Sequence, residues 1–154
     1  MLEVRSLTRR FSGLDRPALD AVSFRVSRGD CLVISGANGS GKSVLMNLIA
    51  GLDRPTDGSV EVAQTAGKPY RIGLVFQDAN AQILGDTPEE DAAVGPRNMG
   101  HDGTRSREIA RQALDRVGLS GLSTVPARSL SGGEKRRLAV AGILAMDAEI
   151  IIFD

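Results

Sequence analysis

The stretch GANGSGKS, residues 36–43, decides the fold class of this chain. It follows the apolar run CLVIS at residues 31–35, which is predicted to be a buried strand, and it opens a helical pattern. Its glycines allow the backbone to turn so that successive N–H groups point inward, and the helix amino terminus adds partial positive charge. The stretch therefore predicts a cradle for an anion such as a phosphate group.

The last two residues of the stretch fit the same interpretation. Lys42 is placed to reach the outer phosphates of a nucleotide, and the Ser43 hydroxyl is placed to ligate a bridging Mg²⁺. The alternative is a glycine-rich turn that serves only the packing of the helix.

Around this stretch, apolar runs alternate with helical patterns, which favours an α/β layout with a mainly parallel sheet. Strands are predicted at residues 2–5, 22–26, 31–35, 59–63, 71–76 and 149–153. The runs CLVIS and EIIIF are apolar on both faces, as central parallel strands are. Cys31, the single cysteine, is interpreted as a buried apolar filler that forms no internal disulfide.

Two helices are predicted with their ends. One begins near Lys42 and stops at Gly51, and Pro55 follows. The other runs from about Arg105 to Val117, with Gly118 as its stop. Its apolar face comprises Ile109, Ala110, Ala113, Leu114 and Val117. Residues 78–104 are rich in proline and glycine and are predicted to form loop and short helix rather than strand.

A second motif, LSGGEKRR, occupies residues 130–137. Ser131 followed three residues later by Glu134 predicts a capping box at a helix start. Gly132 and Gly133 each cost about 1 kcal/mol relative to alanine inside a helix, so another role must compensate for them. Close backbone approach to an anion is one such role, and a flexible capped turn is the structural alternative. The basic run at 135–137 is interpreted as a solvated helix face.

Taken together, these motifs resemble the nucleotide-binding subunit of ATP-binding-cassette (ABC) proteins. GANGSGKS matches Walker A, LSGGE matches the ABC signature, and EIIIFD at 149–154 matches Walker B. The resemblance covers essentially the whole chain. It implies an α/β fold of the P-loop NTPase class and ABC type, with a mainly parallel core sheet flanked by helices, an antiparallel β region and a helical subdomain. The implied parts are a nucleotide-binding β region and P-loop core at 1–77, a helical signature subdomain at 78–146 and the Walker B strand at 147–154.

The same resemblance implies the site residues. Lys42, Gln77 and Asp154 would be catalytic, and Ser43, Gln77 and Asp154 would hold Mg²⁺, Asp154 through water. The implied ATP-binding residues are Phe11, Gly36, Asn38, Gly39, Ser40, Gly41, Lys42, Ser43 and Val44, and the signature residues Ser131, Gly132, Gly133 and Glu134 would act on a nucleotide held by a second subunit. Phe11 would stack on adenine, although taken by itself it is better explained as a core aromatic.

The segment 73–100 resembles, more specifically, the ATPases of cobalt, nickel and vitamin importers of the energy-coupling-factor type. Asp78, Gln82, Glu89, Glu90 and Pro96 carry this likeness, whereas the acidic pair usual before Gln82 is replaced here by Asn80 and Ala81. The implied function is ATP binding and hydrolysis that drives import, with a transmembrane subunit and a second ABC ATPase subunit in a head-to-tail dimer as partners. An ordinary polar connection at 86–100 is the alternative.

Composition limits the other classes of function. Acidic and basic residues balance at 19 each, so bulk charge gives no argument for nucleic acid as a partner. The amino terminus MLEVRSLTRRF is not predicted to be a secretory signal. The longest apolar stretch, at 139–146, is shorter than the ~20 residues of a membrane helix. We therefore expect a cytoplasmic protein that lies at the inner face of the membrane by virtue of its partner.

In the family, a catalytic glutamate, a further strand and a switch histidine follow the Walker B aspartate. We therefore expect these residues to be a fragment of a longer product, incomplete at the C-terminus and poorly stable alone, because a missing central strand leaves backbone groups unpaired. A nucleotide-binding module without turnover and a non-transport ABC ATPase are the two alternative functions.

Overall fold

The computed structural model of the chain describes residues 1–65 and 68–154. Its contacts form two compact units, Met1–Tyr70 together with Asp154, and Arg71–Phe153.

The first unit is built on antiparallel strands and one helix. Its elements are β1 (Leu2–Arg9), β2 (Leu19–Val26), α1 (Lys42–Ile49), β3 (Asp57–Val62), β4 (Gln64–Thr65) and β5 (Lys68–Pro69). The order β2-β1-β3 forms a three-stranded antiparallel sheet, and β4 pairs with β5. The predicted strands at 2–5, 22–26 and 59–63 all lie within this sheet or one residue beyond it, and it is the antiparallel region expected of the fold.

The central strand β1 turns its apolar side chains into the core of this unit. Leu2, Val4 and Leu7 are buried, and the pairing shifts between Val4 and Leu7 on the side of β2. Ser6 has a positive φ of 44° at this irregularity, and the Ser6 N–H donates to the Ser23 Oγ at 2.7 Å. The bulge brings Leu7 back to the buried face after two exposed residues, and β1 ends immediately before the loop that contains Phe11.

The predicted strand at 31–35 is not formed. Within residues 1–65 and 68–154 no strand pairs with this segment. Leu32 and Val33 are 49% and 81% exposed, and Cys31 is exposed rather than a buried filler. Both predictions are therefore wrong. Four apolar residues in a row give the segment the composition of a strand, but a strand forms only when a neighbour pairs with its N–H and C=O groups.

The second unit combines a parallel strand pair with helices. Its elements are β6 (Ile72–Val75), α2 (Pro88–Ala92), α3 (Val94–Asn98), α4 (Gly103–Arg116), α5 (Gly132–Ala145) and β7 (Ile150–Phe153). Strands β6 and β7 pair in parallel, with Ile72 opposite Ile150 and Val75 opposite Phe153. Both strands were predicted. The β7 side chains are nevertheless only half-buried, and Phe153 is 60% exposed, which a strand with one paired neighbour explains.

The helices of the second unit enclose its main core. Leu114 of α4 and Leu138 of α5 are fully buried there, with Leu119 between the two helices in sequence. Helix α4 has the predicted extent within two residues, and Gly118 follows it with a φ of 70°. Residues 78–104 contain short helices and turns as predicted. Thr87 caps α2 by accepting the Glu90 N–H, and Glu89 pairs with Arg111 of α4 at 2.7 Å.

Candidate nucleotide site

The amino terminus of α1 is arranged to present backbone N–H groups. The helix begins at Lys42, as predicted, and its N-cap residue Gly41 has a φ of 90°. A side chain at Gly41 would press against the Ala18 carbonyl oxygen, so glycine is required both by conformation and by space. No side chain of the described residues caps the first turn. The uncapped N–H groups of this first turn match the arrangement of helix ends that bind phosphate.

Lys42 lies over the loop that precedes the helix. Its Nζ donates to the carbonyl oxygens of Gly36 and Ala37, each at 3.0 Å. These two bonds use two of the three N–H donors of an ammonium group. The charge of Lys42 is thus held at the loop, with a further donor available for a phosphate oxygen.

Ser43 contacts the last residue of the chain. The Ser43 Oγ donates to the Asp154 Oδ1 at 2.9 Å, across 111 positions of sequence. A hydroxyl and a carboxylate are hard oxygen donors of the kind that Mg²⁺ prefers. No group of three His, Cys, Asp or Glu side chains suited to a metal occurs among the described residues. The pair therefore fits a Mg²⁺ that is held by one or two protein oxygens together with the phosphates of its ligand.

The other predicted residues of the loop lie next to Lys42 and Ser43 in the sequence. Asn38, Gly39 and Ser40 are exposed, and the Ser40 N–H donates to the Ala37 carbonyl at 3.2 Å. Val44 is half-buried. The exposure of the loop keeps its backbone accessible to a ligand.

Phe11 lies two residues after the end of β1 and is 37% exposed. The guanidinium carbon of Arg9 lies 4.6 Å from the centroid of its ring. Phe11 is therefore not the core aromatic that was the alternative interpretation. Sequence reasoning missed Arg9, because a contact between neighbours at a strand end has no signature of its own.

The signature residues form the predicted capping box at the start of α5, in the second unit. Ser131 donates through its N–H and its Oγ to the Glu134 carboxylate, both at 2.7 Å, and the Glu134 N–H donates to the Ser131 Oγ at 3.3 Å. These bonds from the Ser131 hydroxyl and N–H hold the pKa of the Glu134 carboxyl below its usual value. A Cβ added at Gly132 or Gly133 would meet nothing within 4 Å. Within the described residues, packing gives no reason for these two glycines.

Gln77 also belongs to the second unit, where it is exposed just after β6. Its place beside Ser43 and Asp154 stays a prediction. The nearby Gln82 has a role that sequence reasoning did not assign: its Oε1 accepts the Phe76 N–H at 3.0 Å, and its Nε2 donates to the Leu74 carbonyl at 3.2 Å. Gln82 thereby fixes the backbone at the end of β6, immediately before Gln77.

The glycine-rich loop that leads into the uncapped amino terminus of α1, the antiparallel sheet and the helical unit agree with a P-loop fold of the α/β class. The family model described as ABC transporter matches residues 19–154. The chain belongs to the ABC transporter family.

Three comparisons refine this assignment. The chain is 41% identical to the cobalt import ATP-binding protein CbiO of Syntrophus aciditrophicus, over 100% of this chain and 58% of that protein. The structure of CbiO1 from Clostridium perfringens, part of the ABC transporter complex CbiONQ, matches with a TM-score of 0.81 and 31% identity, over 99% of this chain and 64% of the other. A dimeric ATP-binding cassette, MJ0796, bound to ADP and Pi, matches with a TM-score of 0.83 and 27% identity, over 100% and 73%.

Other curated relatives are named as energy-coupling factor transporter ATP-binding proteins. The fold class and the likeness to this kind of importer ATPase, both predicted from the motifs, are therefore confirmed. The chain spans about half the length of the curated relatives it matches. Among the described residues, no helix has both the length and the apolar character needed to cross a bilayer.

Proposed function

We propose that this chain is the ATP-binding part of an ATP-hydrolysing subunit of a membrane importer, with a metal ion or a vitamin as cargo. The observation that carries the proposal is the contact of the Ser43 Oγ with the Asp154 Oδ1 at 2.9 Å, one residue from Lys42. It joins the two motifs that would hold a magnesium–nucleotide complex.

The proposed roles follow from the hydrogen-bond donors and oxygen ligands that the described residues supply. The N–H groups at the start of α1 hold the phosphates, and Lys42 offsets their charge. Ser43 and Asp154 would ligate Mg²⁺, Asp154 through a water molecule. When bound, the ion neutralises charge on the outer phosphates. Phe11 would stack on the base, and Gln77, as the resemblance to the family implies, would contact the ion and position the attacking water.

The proposed partners come from the relatives. CbiO1 is part of a transporter complex, which supports a transmembrane subunit as partner and a location at the cytoplasmic face of the membrane. MJ0796 is dimeric with ADP and Pi bound, which supports a head-to-tail pair of ATPase subunits. In that pair the signature residues Ser131, Gly132, Gly133 and Glu134 face the nucleotide of the other subunit. The open space at Gly132 and Gly133 agrees with such a contact.

Binding of ATP with and without Mg²⁺ tests the proposal. We expect Mg²⁺ to tighten ATP binding to the wild-type chain, measured by isothermal titration calorimetry, and Asp154→Asn to remove most of that gain. Asp147→Asn is the matched control, because Asp147 is 94% exposed and belongs to the second unit. An equal Mg²⁺ gain in Asp154→Asn and wild type would refute the site.

Turnover is a separate measurement. Phosphate release by this chain is compared with release by a version extended at its carboxyl end to the length of the curated relatives, each with and without a co-expressed membrane subunit. Hydrolysis by the longer product that the membrane subunit stimulates would support the importer. Tight ATP binding by both forms without hydrolysis would instead indicate a nucleotide-binding module.

A further inference from the structure

The face of Phe11 that Arg9 covers is part of a larger arrangement. The Arg9 guanidinium lies over the ring at 4.6 Å from its centroid, and its terminal nitrogen pairs with the Asp53 carboxylate at 3.0 Å. The Arg9 Nε is buried and has no hydrogen-bond partner within residues 1–65 and 68–154. The guanidinium therefore contacts both the Phe11 ring and the Asp53 carboxylate, although this position leaves its Nε–H without a hydrogen bond.

The backbone around Phe11 is fixed from the same side. Asp53 and Thr56 lie in the segment between α1 and β3. The Arg10 N–H donates to the Thr56 Oγ1 at 3.0 Å, and the Thr56 N–H donates to the Thr8 carbonyl at 2.8 Å. The segment between α1 and β3 thus makes two kinds of contact near Phe11: Thr56 bonds to the backbone at the end of β1, and Asp53 pairs with the Arg9 guanidinium.

We propose that Arg9, oriented by Asp53, is a positioning residue for the base-stacking ring of Phe11. The inference rests on the proposed function, in which Phe11 stacks on the nucleotide base. Helix α1, whose amino terminus is proposed to bind the phosphates, is followed directly by the segment that contacts Arg9 and the backbone next to Phe11. Arg9 covers one face of the ring, and the exposed part of Phe11 remains for the base.

Two physical effects give this arrangement its value. A guanidinium over an aromatic face is attracted by the ring quadrupole. A ring already held in place loses less freedom when a ligand stacks on it, and such preorganisation tightens binding. Arg9 touches neither phosphate nor Mg²⁺ in this scheme. Its removal should therefore weaken recognition of the base and leave phosphate binding unchanged.

The test compares two ligands that share the phosphates and differ in the base. Mg²⁺–ATP and Mg²⁺–tripolyphosphate are titrated against wild type, Arg9→Met, Asp53→Asn and the matched control Arg10→Met, an exposed cation one residue along the chain. We expect Arg9→Met to raise the Kd for ATP about three- to tenfold. Asp53→Asn should do so less, and Arg10→Met should not. The Kd for tripolyphosphate should stay within twofold in all variants.

A double-mutant cycle with Phe11→Leu isolates the ring. In the Phe11→Leu background, Arg9→Met should no longer change the Kd for ATP, because the platform that it orients is gone. An equal loss of ATP and tripolyphosphate affinity in Arg9→Met, or additive losses in the cycle, would overturn the proposal and leave Arg9 a structural residue. Failure of the wild-type chain to bind tripolyphosphate would instead refute the phosphate site itself.

Discussion

The amino termini of α1 and α5 are built differently, although both follow glycine-rich segments and both are expected to meet phosphate. At α1 no side chain among the described residues caps the first turn, and the N-cap is Gly41 in a left-handed conformation. At α5 Ser131 and Glu134 form a complete capping box. The N–H groups in the first turn of α1 are therefore available to a ligand, whereas at α5 the Ser131 and Glu134 side chains already accept some of the N–H groups.

This difference separates two kinds of glycine requirement. Gly41 is required by the chain itself, because its backbone angle and the Ala18 carbonyl oxygen exclude a side chain. Gly132 and Gly133 have open space around them and ordinary backbone angles. The capped end of α5 therefore contains two glycines that neither backbone angle nor packing within the described residues explains. The proposed function assigns the two helix ends to different nucleotides, one in the same subunit and one in its neighbour.

The largest expected effect is on the free energy of unfolding, which should change in opposite directions when the glycines at these two helix ends are replaced. Gly41→Ala should lower the free energy of unfolding by about 2–4 kcal/mol, because a non-glycine residue there is strained and has no space. Gly132→Ala should raise it by up to about 1 kcal/mol, because alanine favours the helix. Urea denaturation of both variants checks the two signs.

The stabilised variant also has a functional prediction. If Gly132 approaches a nucleotide on another subunit, Gly132→Ala should lower the rate of ATP hydrolysis by the assembled transporter while the chain itself becomes more stable. Gly121→Ala, another glycine with open space around it, is the control. Unchanged hydrolysis in Gly132→Ala would remove the argument that α5 faces a ligand.

The next effect concerns the cation at each helix start. Lys42→Met should weaken ATP binding about 10- to 100-fold, the value of one or two charge-assisted hydrogen bonds. Lys135→Met is the control, because the Lys135 Nζ donates to the Asn80 Oδ1 at 2.9 Å in the second unit. Calorimetric titration should therefore show a near wild-type Kd for Lys135→Met. Comparable losses in both variants would mean that charge in general, rather than the uncapped helix end, holds the phosphates.

The helix ends were predictable because their signals are local. The start of α1 at Lys42, the capping box at Ser131 and the stop at Gly118 each depend on a few adjacent residues. The same holds for the loops and short helices of residues 78–104. Such features need no knowledge of what lies elsewhere in the fold.

Features that depend on distant partners were predicted less well. The segment 31–35 has the composition of a central strand, yet in the part of the chain that the structure describes nothing pairs with it. Its sequence shows that it is apolar and not whether a neighbour is present. The contact of Arg9 with Asp53 joins a strand end to a loop across 44 positions, and neither residue belongs to a motif. The motif pairing of Ser43 with Asp154 was accessible only through resemblance to a family.

The smallest expected effect uses pH to separate the two helix ends. Hydrogen bonds from Ser131 lower the pKa of Glu134 in the folded chain. The charged carboxylate therefore stabilises the folded state above the pKa of an unfolded glutamate, about 4.3, and this contribution is lost as the pH falls through the lower folded value. At the start of α1, by contrast, no side chain in the described part of the chain forms a cap.

We therefore expect Glu134→Gln to lower the melting temperature by about 1–3 °C at pH 7 and to approach wild type as the pH falls through the lowered pKa of Glu134, since the carboxyl is then protonated in both states. Hydrogen bonds from Arg5 and then Arg25 lower the pKa of Glu3 to about 2, but Glu3 titrates in both proteins and cancels from the difference. The control Glu90→Gln removes an exposed carboxylate from the first turn of α2, outside the Ser131 cap, and is measured at the same pH values. A Glu134→Gln difference that persists unchanged at low pH would show that the cap acts through shape rather than charge.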